Sequence, residues 1–194
     1  MTDTKDRLIG ASAELFRRQG YTGTGVKQIV EMASAPFASL YHFFPGGKTE
    51  LGAETIRWSG TLYGQLVDAF FDPAPDVVSA IEAAFAGAAD TLRDTDYADA
   101  CPIATVALEV ASTNDVLREA TAEVFESWIV ALAARFGGAG IPGPQAREVA
   151  IACLSLLEGA FILGRATRDA IHVEVAGAAA STIVRSALEQ HRSG

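Results

Sequence analysis

An all-α fold is predicted from three features of the 194-residue sequence. Apolar residues recur at helical spacing almost throughout, no run sustains the alternation of a strand, and β-branched residues sit singly inside alanine-rich segments. Turn formers cut the pattern at Gly20, at Pro45-Gly46-Gly47, at Asp72-Pro73-Ala74-Pro75 and along the run from Gly137 to Pro144, leaving about nine helices. The breaks fall close together at first and far apart later. The expected organisation is therefore a three-helix head, residues 1–47, followed by a larger helical body, residues 48–194.

The first helix is expected from about Thr4 to Arg18, burying Leu8, Ala11 and Leu15 with Ile9, Ala13 and Phe16 beside them, and Gly20 ends it. A second starts near Gly25, an acceptable N-cap, with Gln28 three residues on as half of a capping box. A third begins at Pro36, since proline suits a first helical turn, and stops before Pro45. Three short helices, the last two joined by a tight turn, form a helix-turn-helix candidate. The body then reads as helices over about 48–71, 76–94, 103–111, 115–136, 145–168 and 173–190.

Composition narrows the function classes. Hydrophobic residues make up 49 % and charged residues 20 %, and the mean hydropathy is +0.22. That excludes a disordered chain and leaves a surplus of apolar surface for a dimer interface or a ligand cavity. The net charge of −9 argues against nucleic acid until its distribution is considered. Residues 1–50 carry six basic and five acidic side chains, and the other 144 carry 9 basic and 19 acidic. An acidic body would turn DNA away except at the one end that is not acidic.

Two cysteines, Cys101 and Cys153, make no disulfide framework, and no Cys/His set has zinc spacing, so no metal or cofactor is expected. The three histidines, His42, His172 and His191, assemble no Ser-His-Asp order, and no phosphate loop is present, so catalysis is not expected. The N-terminus is polar, and the greasiest stretch, Ala150 to Gly164, is interrupted by Ser155 and Glu158 and falls short of the roughly 20 residues a membrane span needs. A soluble cytoplasmic protein with no membrane partner is the expectation.

A helix-turn-helix reads double-stranded DNA by laying its second helix in the major groove while flanking groups hold phosphates. Leu40 and Phe44, four apart, are expected to face inward, leaving Pro36, Phe37, Ser39, Tyr41 and His42 toward DNA. Phe37 suits a thymine methyl, Ser39 a base edge, and Tyr41 and His42 phosphate oxygens. Lys27 and Lys48 are the nearby cations, Lys48 where the next helix offers free backbone N–H groups. The competing reading of Tyr41 and Phe37 is ordinary aromatics packed on their neighbours.

The residues from Tyr21 to Val30, then Ser39-Leu40-Tyr41-His42-Phe43-Phe44 and Lys48, resemble the DNA-binding head of the TetR repressor superfamily. The Ala-Pro and Leu-Tyr-His-x-Phe-Pro-Gly-Gly-Lys version is similar to its LmrA/YxaF-type branch, as are Cys101-Pro102-Ile103-Ala104 and Ala107-Leu108-Glu109 in the body. Three positions depart from the pattern: Ser34 stands where glycine is usual in the turn, and Phe37-Ala38 where a basic residue and glycine often start the reading helix.

The resemblance implies a homodimer that binds a palindromic operator as a repressor and is released by a small hydrophobic effector. It implies an effector site among Leu62, Leu66, Cys101, Thr105, Glu109, Phe125, Trp128 and Arg165, and a dimer bundle through Leu154, Leu157, Phe161, Ala179, Thr182 and Ile183. The fourth helix, fused to the head through Lys48 and Thr49, would carry the change of state. The bland alternatives are core packing for the aromatics, a salt-bridged face for Glu109 and Arg165, and an intrachain core for the seam. The rival function is a helical ligand-binding or partner-binding module whose DNA binding is weak or lost.

Overall fold

The computed structural model describes residues 3–98 and 101–192. These residues form nine helices and, among them, no strand: α1 (Thr4–Gln19), α2 (Val26–Met32), α3 (Phe37–Phe43), α4 (Gly47–Phe71), α5 (Val77–Asp94), α6 (Pro102–Val110), α7 (Asp115–Gly138), α8 (Gly143–Thr167) and α9 (Ile171–Arg192). The all-α expectation therefore holds. Boundaries move by a residue or two where capping decides them. Pro36 is the N-cap of α3 rather than its first residue. Helix α7 runs through Gly137 to Gly138 before the chain turns at Gly140, where Ile141 N–H reaches back to the Phe136 carbonyl at 3.1 Å.

The residues group into two compact units, 1–62 with 101–125 and 63–100 with 126–194. The boundary differs from a cut at residue 47, because α6 and the N-terminal parts of α4 and α7 fall with the head helices. Helices α4 and α7 each supply residues to both units.

In the first unit, α1, α2 and α3 pack on one another and α6 packs on α1. The head core is Leu8, Ile9, Ala11, Leu15, Ile29, Val30, Ala33, Leu40, Phe44 and Leu51. Leu8, Ile29, Leu40, Phe44 and Leu51 lose all contact with solvent, each worth roughly 1.5–3 kcal/mol of burial. With Leu40 and Phe44 sunk in the core, the rotation of α3 about its axis is set, and so is the face it turns outward. Helix α2 starts with the Gly25 N–H donating to the Gln28 side-chain oxygen at 2.8 Å. Glycine has no side chain to complete the reciprocal bond, so only half of a capping box is made.

In the second unit, α9 packs against both α5 and α8 around Ile81, Phe85, Leu92, Phe136, Ile141, Cys153, Val173 and Val184. Asp76 caps α5 by accepting the Ser79 N–H at 2.8 Å. Helix α8 is 25 residues long and, by length and composition alone, apolar enough to cross a membrane; only 28 % of its most apolar window is buried inside the protein. Much of its apolar surface is therefore left for something outside this chain to cover.

Candidate DNA-binding face and the polar ties around it

Helix α3 turns Pro36, Phe37, Ala38, Tyr41 and His42 outward and leaves Ser39 half-buried. Phe37 is 54 % and Tyr41 48 % exposed, high values for aromatic rings. The two lie one turn apart with ring centroids at 5.7 Å and planes at 50°. Tyr41 also rests on Gly47, where an added Cβ would come within 3.3 Å of the ring. His42 stands beside Phe43, edge to face, at 4.9 Å. Lys27 is exposed on α2, 3.7 Å from Glu31.

The turn between α2 and α3 is held by Arg7 of α1, whose Nε donates to the Ala33 carbonyl at 3.0 Å. That carbonyl belongs to the C-cap of α2 and would otherwise lack an intrahelical partner. Ser34 follows with φ at 48°, a left-handed backbone that glycine accepts more readily.

Lys48, expected to hold a phosphate, lies against the loop after α1. Its Nζ donates to the Tyr21 carbonyl at 2.7 Å and lies 4.1 Å from the centre of the Tyr21 ring. Tyr21 in turn meets Phe16 edge to face at 5.4 Å. Burial pulls the Lys48 ammonium below the usual lysine pKa, and the Glu109 carboxylate partly offsets that shift.

Glu109, on α6, comes to the same place. Its Oε2 accepts the Thr22 backbone N–H at 2.7 Å. Its Oε1 occupies the space over Gly20, only 1.7 Å from where a Cβ would stand. Gly20 has φ at +75°, so any other residue there would meet both backbone strain and the carboxylate. One lysine and one glutamate from distant parts of the sequence thus clamp the loop that joins α1 to α2.

The other residues matched to an effector are divided between the two units. Cys101 and Thr105 share the first turn of α6: the Thr105 hydroxyl donates to the Cys101 carbonyl at 3.0 Å, and the Cys101 Sγ accepts the Ala104 N–H at 3.5 Å. Leu62, on α4, is exposed, and Phe125, on α7, is half-buried. In the second unit Trp128 is buried, with Tyr63 6.5 Å from it, while Leu66 is exposed. Arg165 donates from Nε to the Tyr97 carbonyl at 3.3 Å and from Nη2 to the Ala98 carbonyl at 3.2 Å, fixing the chain after α5. A narrow cleft in the first unit, lined by Phe16, Thr55, Ser59, Ile103 and Val106 among others, is too tight for a water molecule.

Along α8 and α9, Leu157 and Phe161 pack on the core of their own unit, Leu154 and Ala179 are half-buried, and Thr182 and Ile183 are exposed. Exposed on α8 are Ile151, Ser155 and Ile162, the last two one residue along from Leu154 and Phe161, and exposed on α9 are Val175, Thr182 and Ile183. Helical spacing marks Leu154, Leu157 and Phe161 as an apolar stripe. It cannot distinguish which of two adjacent apolar stripes meets the chain itself. The role of Arg7 was not foreseen, and its only signal is a long polar side chain near a helix end.

A three-helix head whose third helix carries exposed aromatics, on a chain with an otherwise helical body, has the build of a helix-turn-helix protein. Residues 8–55 match the family described as bacterial regulatory proteins of the tetR family, and residues 77–179 match the C-terminal domain of LmrA/YxaF-like transcriptional regulators. The chain belongs to the TetR family of transcription regulators, which are not enzymes, within the LmrA/YxaF-like group. It is 31 % identical to the HTH-type regulator YxaF of Bacillus subtilis, with 86 % of this chain and 87 % of that one covered. An HTH-type regulator of Mycobacterium tuberculosis is 33 % identical over 87 % of this chain and 88 % of its own. The fold is similar to that of Escherichia coli NemR in its reduced form, with a TM-score of 0.82 at 20 % identity, covering 93 % of this chain and 97 % of that one.

Proposed function

We propose that the protein acts as a symmetric dimer on a palindromic operator, represses transcription there, and is released by a small apolar effector held in its helical body. The observation that carries the reading is α3: its inward residues are locked in the head core, and its outward face offers Phe37, Tyr41 and His42 to a major groove. Ser39 and Pro36 border that face, and Lys27 and Lys48 are the nearest cations for phosphates. Two α3 helices related by a two-fold axis would enter successive grooves about one DNA turn apart.

The exposed stripes of α8 and α9 support a dimer, because a second copy of the same small and apolar residues covers them at close approach. A partner copy, and not lipid, is the cover proposed for α8, and the protein is proposed to work in the cytoplasm. Leu66 and Trp128 are proposed to meet the effector, and Leu62, Cys101, Thr105, Phe125, Glu109 and Arg165 to respond to it. Helix α4 supplies residues to both units, so a shift of its axis changes the spacing of the reading helices. The effector acts only through a difference in its affinity for the two states.

The test is recovery of sheared genomic DNA fragments on the purified protein at low salt, followed by sequencing. A few enriched sites sharing one palindrome support the reading, and release of those sites by an apolar compound supports the effector. The absence of any cation on α3 favours a second reading, a helical binding module with weak DNA affinity. Uniform recovery of all fragments, or none, from a folded dimer would select it.

A further inference from the structure

The reading helix has an unusual chemical inventory. From Ala33 to Gly47 the sequence contains no Lys, Arg, Asn, Gln, Asp or Glu. Those are the side chains that make two parallel hydrogen bonds with a guanine or adenine edge, or accept from cytosine. The cations nearest in the head are engaged elsewhere: Arg7 with the Ala33 carbonyl, Lys48 with the Tyr21 carbonyl, and Lys27 beside Glu31. What α3 does present is hydrocarbon. Phe37 stands 54 % exposed, Ala38 is exposed next to it, and Tyr41 buttresses Phe37 from one turn on while resting on Gly47. A large ring held in place by its neighbours, on a face that water otherwise covers, loses little side-chain freedom when it is buried.

In the major groove one base-pair feature rewards such a surface, the C5-methyl group of thymine. We infer that α3 reads thymine methyls, with Phe37 the specificity-determining residue, Tyr41 its support, and Ala38 a second small contact. The inference rests on the DNA-binding reading above and narrows it: the operator half-site carries thymines opposite Phe37, and discrimination there comes from burial of methyl groups and not from paired hydrogen bonds. Tyr41 ends in a single hydroxyl, and the two ring nitrogens of His42 diverge too far to meet one purine edge together, so each suits a phosphate oxygen better than bidentate recognition of a purine.

The experiment uses the full-length protein and the operator recovered by genomic selection. Each thymine of the half-site is replaced in turn by deoxyuridine, which removes only the methyl group, and affinities are measured by competition. One buried methyl is worth about fourfold in affinity. The expected result is a loss of about that size at one or two positions per half-site, and roughly the square of it when both half-sites are changed. Phe37→Ala should abolish the thymine-over-uracil preference at its position, while Phe37→Leu retains part of it. Because Phe37 is exposed, both variants should melt with the wild type. Sequence-specific binding that is indifferent to uracil everywhere, or a preference that survives Phe37→Ala, overturns this inference and leaves the regulator intact. Failure to enrich any fragment overturns both readings together.

Discussion

Replacing Glu109 by alanine removes the one carboxylate that α6 places on the loop between α1 and α2. The Oε2 to Thr22 N distance of 2.7 Å marks a charge-assisted hydrogen bond. Such a bond contributes roughly 1.5–3 kcal/mol when buried. Thr22 is exposed and Glu109 half-buried, so solvent screening brings the loss to about 1 kcal/mol. In a protein of this size that lowers the melting temperature by roughly 2–4 °C. The loop carries the Tyr21 carbonyl that holds Lys48, so the same loss reaches the start of α4. Operator affinity should then fall by at most about fivefold, the same free energy expressed in binding. Glu109→Gln keeps an oxygen for the Thr22 N–H but gives up the charge, and should lose about half as much. Thermal melts and fluorescence anisotropy on the selected operator measure both quantities. If Glu109→Ala melts and binds as the wild type does, the clamp has no energetic standing and the argument fails.

Ser34→Gly relieves a left-handed backbone at φ 48° and should raise stability by up to about 1 kcal/mol, read as a higher melting temperature with operator binding unchanged. Cys153 is buried and its thiol is pushed up to about 12; at pH 8 only about one molecule in ten thousand would carry a thiolate there. A maleimide should therefore leave Cys153 unlabelled in the native protein and label it once denaturant is added, as mass spectrometry would show. The pH dependence follows from Glu14, Glu123 and Glu126. Arg17, Arg57 and Arg147 respectively hydrogen-bond these carboxylates and lower their pKa values from 4.5. A carboxyl held low when folded stabilises the native state above its unfolded pKa, and that support is lost as pH falls through the lower folded value. Melting temperature should be flat above about pH 5 and decline steadily in more acid solution; a decline that begins near neutrality would contradict the assignment. Ile162→Glu and Val175→Glu place charges on the exposed stripes of α8 and α9. Sedimentation should find monomers with native helicity, and dimers in both variants would remove these faces from the interface.

The helices were legible because periodicity and breakers act locally. Leu8, Leu15, Ile29 and Leu40 fall on one face of their helices whatever the rest of the chain does, and all four end in the head core. The end of α7 was less legible. Gly137 and Gly138 signal a stop, yet the helix continues across both until Gly140 supplies a positive φ. Two glycines at a helix end cost helix propensity without forbidding the conformation. The grouping into units was not legible either, because the contact of α6 with α1 links residues some 90 positions apart, and no local pattern encodes it.

The polar residues within apolar stretches show a shared physical reason for what sequence leaves open. Lys48, Glu109 and Arg165 were matched to phosphates or an effector because a charge among hydrophobic neighbours suggests a purpose. Each meets backbone at a loop: Lys48 the Tyr21 carbonyl, Glu109 the Thr22 N–H, Arg165 the carbonyls of Tyr97 and Ala98. A chain built of helices ends each one with carbonyl or N–H groups that have no partner inside the helix, and buried loops add more. A long charged side chain within reach satisfies them at little cost.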